Sequence, residues 1–202
     1  MYALGNICRL QVQRTSLKVG DGSRRSYDPA GISDVPRLTI TEGGVIGWDE
    51  RGERIDDVHH RDHPATKHRG DNAISIGFVS HYEEMRRAYG DHVTEGIAGE
   101  NILIEQDQLI GEDDLRHGIA IETANGSLVR LDNVIVATPC IEFSRYAMRF
   151  PEDARPDETV TATLQFLNDG MRGYYASYAG TESEINVGDR VFVISDDEPA
   201  TV

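Results

Sequence analysis

Apolar and polar residues alternate in short blocks along much of the chain, the period-two pattern of strands with one buried face. ICRLQVQR (7–14) sets Leu10 and Val12 on one side, and RLTITEGGVIGW (37–48) alternates Leu38 with Ile40 before a tight turn at Gly43-Gly44. AISIGFV (73–79) is apolar enough for a buried strand. The strand pattern returns in GIAGENILIE (96–105), HGIAIET (117–123) and SLVRLDNVIVA (127–137), with Gly111 and Asn125-Gly126 at turns, and again in MRGYYASY (171–178) and DRVFVIS (189–195). Helical spacing shows in three places. Ser80 and Glu83 form a capping-box pattern ahead of a helix that Gly90 ends, EFSRYAMRF follows Cys140, and ETVTATLQFLND aligns Val160, Leu164 and Leu167 before Gly170. Many short strands with few helices between them argue against regular βαβ units. The expectation is a mainly β protein, an antiparallel barrel with a few peripheral helices, formed as one domain over 1–195 with an acidic tail at 196–202.

Two segments break the pattern. LKVGDGSRRSYDPAG has loop punctuation, and residues 49–72 are almost all polar, too long for a simple connection and therefore expected to form a functional or mobile loop. At 39% hydrophobic and 27% charged residues the chain is able to build a core. Its 35 acidic residues outnumber 20 basic ones, and the net charge of −15 argues against a general nucleic-acid or membrane-surface binder. One local basic site remains compatible with this, because salt screens distant charges beyond about 10 Å. The first residues lack the pattern of an export signal and no apolar run approaches bilayer length, so the expected location is the cytoplasm, with no membrane partner.

Cys8 and Cys140 form no CxxC pair and are expected to be free thiols. Cys8 lies inside a strand pattern and reads as a small core residue. Cys140 is different: Pro139 closes the preceding strand and a helix pattern follows, so the thiol stands near a helix N-terminus that favours the thiolate, a nucleophile, sulfur carrier or soft metal ligand. The competing reading is again a small buried residue. The segment HHRDHPATKHR clusters His59, His60, His63 and His68, but Pro64 disfavours a helix at His63 and no HExxH is present, which argues against a dedicated zinc site. With Arg61, Lys67, His68 and Arg69 the segment is either an anion site or a solvated loop. GIAGEN suits a tight turn or close backbone approach and is neither a P-loop nor a dinucleotide fingerprint. Tyr174, Tyr175 and Tyr178 read as barrel packing rather than a stacking platform.

Three segments, in order, resemble the MOSC family, the domain found at the C-terminus of molybdenum-cofactor sulfurases and as stand-alone bacterial proteins: GIAGENILIE, TPCIEF, and GMRGYYASYAGTESEINVGDRVFV. KHRGDNAIS is similar to the family's histidine-containing segment, and LQVQRTSLKVG followed by SYDPAGI to one stand-alone branch. The resemblance implies a MOSC-type β-barrel that binds the molybdenum cofactor (molybdopterin), with Cys140 as molybdenum ligand or persulfide carrier. Because the cofactor carries a phosphate, Lys67, His68, Arg69, Arg145 and Arg172 are the candidates for charge compensation, and Asn101 for a hydrogen bond to the pterin. Stand-alone relatives imply an oxidoreductase that reduces N-hydroxylated or other N-oxygenated small molecules, with a separate reductase as electron donor because the chain carries no flavin or iron-sulfur motif. Two other readings stay open, a non-catalytic carrier of sulfur or cofactor and a barrel without cofactor that serves as an interaction module. No pyridoxal-phosphate domain is present, so cysteine desulfuration is not implied. Glu142 stands where the family often has a basic residue, and tyrosines follow Gly173 where smaller or aliphatic residues are usual.

Overall fold

The computed structural model describes residues 1–22, 25–151 and 157–195. The acidic tail expected at 196–202 lies outside the described residues. The chain adopts the mainly β barrel that its alternation predicts. Strand β1 (Tyr2–Gln13) buries Leu4, Ile7, Leu10 and Val12 and is long enough to serve three partners in turn. It pairs with β14 (Arg190–Val193) near its start, β9 (Ile102–Glu105) in its middle and β4 (Ile32–Val35) at its end. Register shifts between Ala3 and Gly5 and between Ile7 and Arg9 bend it from one partner to the next.

From β14 the sheet runs through β10 (Ile119–Glu122), β11 (Leu128–Val136), β12 (Tyr174–Ser177), β8 (Ile74–Phe78) and β9 back to β1, and the β1–β14 pairing closes a seven-stranded barrel. Of these pairings only β8–β9 is parallel. A parallel pair needs a crossover, and helix α1 (Val79–Tyr89) supplies it. A second sheet joins β13 (Ser183–Asn186), β5 (Arg37–Thr41), β6 (Gly44–Trp48) and β7 (Arg54–Asp56). The polar run 49–72 is thus not all loop: β7 forms at the sheet edge, paired only with β6, where a strand needs little apolar character. Likewise the loop expected before residue 30 contains a two-stranded ribbon, β2 (Lys18–Val19) with β3 (Ser26–Tyr27).

Ile74, Ile76, Phe78, Ile102, Ile104, Ile119, Ile121 and Leu131 fill the barrel. A second core lies outside the wall. Leu103, opposite in parity to Ile102 and Ile104, faces outward onto Tyr82 and Met85 of α1, Phe143 and Ala147 of α2 (Ile141–Ala147), and Leu167 of α3 (Glu158–Asn168). The capping box expected at Ser80 does not form: Phe78 is the cap residue, and the Ser80 hydroxyl donates to the Gln108 carbonyl at 2.8 Å. The helix starts two residues earlier than expected and takes Val79 from the apolar run. Cys8 also departs from its expected place, because β1 turns it to the exposed side. Among the described residues no helix is long and apolar enough to cross a membrane. Since Ile121 is fully buried in the barrel, Ile121→Val is expected to cost about 1 kcal/mol, read as a fall of roughly 2–4 °C in the thermal midpoint.

Candidate functional site

Cys140 sits at the corner where β11 leaves the barrel. The Ala137 amide still bonds to the Gly173 carbonyl at 2.9 Å, Pro139 then ends the ladder, and Cys140 takes extended geometry (φ −110°, ψ 157°) as the cap of α2. Its Sγ accepts the Phe143 amide at 3.4 Å, and its carbonyl accepts the Ser144 amide at 3.0 Å. The half-buried thiol opens into a cavity of about 530 Å³.

Four pieces of chain build the walls. The ribbon contributes Lys18, Arg25 and Tyr27, the polar segment contributes His59, Lys67, His68 and Arg69, the barrel rim contributes Gln13, Ser75, Arg172 and Tyr175, and the α2 corner contributes Cys140 and Phe143. Among the described residues, five side chains in the wall are Lys or Arg, and none is Asp or Glu. In a chain of net charge −15 this is a deliberate local inversion. A concave site walled by low-dielectric protein focuses that positive field on whatever enters. Tyr27 is fixed there by its hydroxyl, which donates to the Ile97 carbonyl at 2.7 Å, and by ring contacts with Phe143 and Tyr146 at 5.1 and 5.3 Å. Burial pushes its hydroxyl well above the usual tyrosine pKa, so it stays neutral.

Of the residues singled out from the sequence, Cys140, Lys67, His68, Arg69 and Arg172 meet in this cavity, although Lys67 and Arg172 are 105 positions apart. Asn101 and Arg145 do not line it. Asn101 is fully enclosed: its Oδ1 accepts the Ser75 amide and hydroxyl at 3.0 and 2.9 Å, and its Nδ2 donates to Asp57 at 2.9 Å and to the Gln11 carbonyl at 3.3 Å. Arg145 donates to the Pro151 carbonyl at 2.6 Å. Glu142, which stood where a basic residue was expected, is not in the wall either. Lys18 lies 3.6 Å from its carboxylate. Burial alone would raise the pKa of Glu142, but its own backbone, Lys18 and the Cys140 side chain together hold it below the usual carboxylate range.

The tyrosines after Gly173 divide by strand parity. Tyr174 packs inside, its hydroxyl donating to the Ile110 carbonyl at 2.6 Å, whereas Tyr175 faces the cavity with the Arg69 guanidinium 5.8 Å from its ring centre. GIAGEN makes its close approach to the protein itself: a side chain at Gly96 or Gly99 would meet Gln11 or Gln13, whose amides donate to the Gly96 and Gly99 carbonyls at 2.6 Å each.

Sequence reasoning missed one pair. Asp57 is completely buried, and its Oδ2 accepts the Gln13 amide at 2.7 Å as well as Asn101, while its Oδ1 accepts the backbone amide of His59 at 2.7 Å and lies 3.1 Å from His59 Nδ1. That carboxylate places the proton on Nδ1 and leaves Nε2 as the ring atom able to gain or lose one. The spacing Asp57-x-His59 inside a polar run gives no sign that one residue is buried and the other lines a cavity. Among the described residues no group of three or more His, Cys, Asp or Glu side chains is placed to hold a metal ion by itself.

The family model of the MOSC domain matches residues 56–192, about two thirds of the chain. The chain belongs to the MOSC domain family. No curated protein matches it. Solved structures share its fold at low identity. The YuaD protein from Bacillus subtilis is 15% identical with a TM-score of 0.54, covering 93% of each chain. YiiM from Geobacillus stearothermophilus is 17% identical with a TM-score of 0.51, over 94% of this chain and 75% of the other. YiiM from Escherichia coli is 16% identical with a TM-score of 0.50, over 84% and 68%.

Proposed function

We propose that the cavity binds the molybdenum cofactor and that the protein is an oxidoreductase that reduces N-hydroxylated small molecules. One observation carries this reading: a thiol and five cationic side chains share one cavity that, among the described residues, no carboxylate lines. Membership of the MOSC family supports it. The residues fit the group chemically. A phosphate-bearing ligand needs fixed cations, which Lys18, Arg25, Lys67, Arg69 and Arg172 provide, and molybdenum needs a soft donor, which Cys140 provides. When bound, the cofactor supplies the electron pair that the chain's own side chains lack.

The rest of the work falls to this chain. Converting R–NH–OH to R–NH2 and water consumes two electrons and two protons. His59 is the side chain in the wall suited to pass a proton at Nε2, since Asp57 holds Nδ1. Tyr175 and Phe143 offer ring surface to a planar base. Electrons come from a separate reductase.

The test is metal analysis of protein purified from a host that makes the cofactor, followed by turnover of an aryl hydroxylamine with a chemical reductant. Molybdenum near one per chain with turnover is expected. Molybdenum without turnover would move the reading to a carrier, and protein free of molybdenum would leave a barrel that serves in interactions.

A further inference from the structure

Behind the cavity wall, a chain of buried polar groups leaves one donor and one acceptor unmatched. Arg172 Nη2 donates to the Ala98 carbonyl at 2.7 Å, the Ala98 amide donates to the Tyr82 hydroxyl at 3.0 Å, and that hydroxyl donates to Glu100 Oε2 at 2.7 Å. The remaining atoms, Arg172 Nη1 and Glu100 Oε1, face each other at 4.0 Å, too far for a hydrogen bond, and both are buried without a partner. The backbone is shaped around this carboxylate. A methyl at Gly77 would lie 3.0 Å from Glu100 Cγ, and one at Gly173, where φ is +110°, would lie 3.4 Å from it and 2.5 Å from the Ile76 carbonyl. Glu100 is 1% exposed and out of reach of a ligand, but Arg172 forms part of the cavity wall. The guanidinium therefore stands between a buried carboxylate and the space where an anion would sit.

We infer that Glu100 is a positioning residue that couples anion binding to proton uptake: an anion entering the cavity shares the Arg172 charge, and Glu100 takes a proton from solvent in response. This rests on the cavity being an anion site, as proposed above. The electrostatic sign does not depend on details. Arg172 keeps its charge throughout, and among the described residues it is the one cation facing Glu100; the other ionisable groups around the carboxylate are the hydroxyls of Tyr82 and Tyr27, both neutral. Burial already raises the Glu100 pKa above its usual value, with Arg172 and the Tyr82 hydroxyl opposing that rise. A second negative charge beyond Arg172 weakens the opposition and raises it further, so one proton enters as the anion binds. A reduction that consumes protons would then begin with one stored beside the site.

Sulfate is the probe, because it stays a dianion across the range while phosphate does not. Its binding would be measured calorimetrically from about pH 5 to about pH 8, in buffers of differing ionisation enthalpy, for wild type and Glu100→Gln. E100Q keeps the other side chains of the wall, so the difference between the two proteins reads Glu100. Wild type is expected to take up more protons per sulfate than E100Q, by up to one, so its affinity should rise by up to about tenfold more per unit fall in pH where the difference is greatest. Tyr82→Phe removes a donor that favours ionised Glu100, so it should displace the proton uptake to higher pH. That variant carries the test if E100Q does not fold. Equal proton uptake in wild type and E100Q, or an unmoved window in Y82F, overturns the coupling. Failure of the wild type to bind sulfate overturns the anion cavity itself and the coupling with it.

Discussion

Cys140→Ala is expected to purify from a cofactor-making host with less than about a tenth of the wild-type molybdenum, since even the partners that orient a metal ligand are worth 10- to 100-fold in affinity. The fold should tolerate the change. Cys140 is only half-buried, and what its side chain gives the protein is one long bond from the Phe143 amide at 3.4 Å, the start of a seven-residue helix already anchored by Phe143 and Ala147 in the outer core. Losing that cap costs about 1 kcal/mol or less. The five cations remain, so the variant should still bind sulfate. Cys8→Ala is the matched control: its thiol is exposed on β1 and donates to the Leu103 carbonyl at 3.4 Å, away from the cavity wall. Metal content measured by mass spectrometry, alongside thermal melting, separates the outcomes. Molybdenum retained in C140A, or lost equally from C8A, would remove Cys140 from the site.

What the sequence made legible follows the range of the forces involved. Strand alternation and glycine turns are local, and they sufficed for the barrel; the corner at Pro139-Cys140 is local too, and α2 starts there as expected. The basic side of the cavity was half visible, because Lys67, His68 and Arg69 are adjacent in the chain. Lys18 and Arg25 were not, since a two-residue ribbon in a glycine-rich segment has no periodicity to reveal it. Asn101 was picked and Glu100 passed over in the same motif, yet parity along the chain cannot say which of two neighbouring polar residues is spent on the protein's own backbone. Glu142 is the clearest lesson. Read by position it replaced a basic residue of the family and put the charge of the site in question, but Lys18, 124 residues away, lies against it.

Acid should unfold the protein through a histidine that has no part in the proposed chemistry. His81 on α1 is buried with both ring nitrogens in use: Nδ1 donates to the Gly170 carbonyl at 3.1 Å, and Nε2 accepts the Ile110 amide at 3.1 Å. The rings of Phe78 and Tyr174 lie 5.2 and 6.3 Å away. A proton added at Nε2 would point at an amide donor, inside an apolar wall. Burial accordingly lowers the His81 pKa to about 4, against weaker opposition from the bond to the Gly170 carbonyl. A base whose pKa falls on folding is held neutral by the fold, so its contribution is complete above the unfolded value of about 6.5 and is lost as pH falls from there through about 4. At about 1.4 kcal/mol per unit, the stability lost over that window is about 3 kcal/mol, beyond what carboxylate titration adds at the lower end. Urea denaturation at a series of pH values reads this directly. His81→Asn should be less stable at pH near 7, since the ring's packing and one of its bonds are gone, but its stability should fall less steeply between about pH 6.5 and about pH 4.5. Parallel curves for the two proteins would mean that His81 finds a way to carry its proton inside the fold, and that the acid limb belongs to the carboxylates alone.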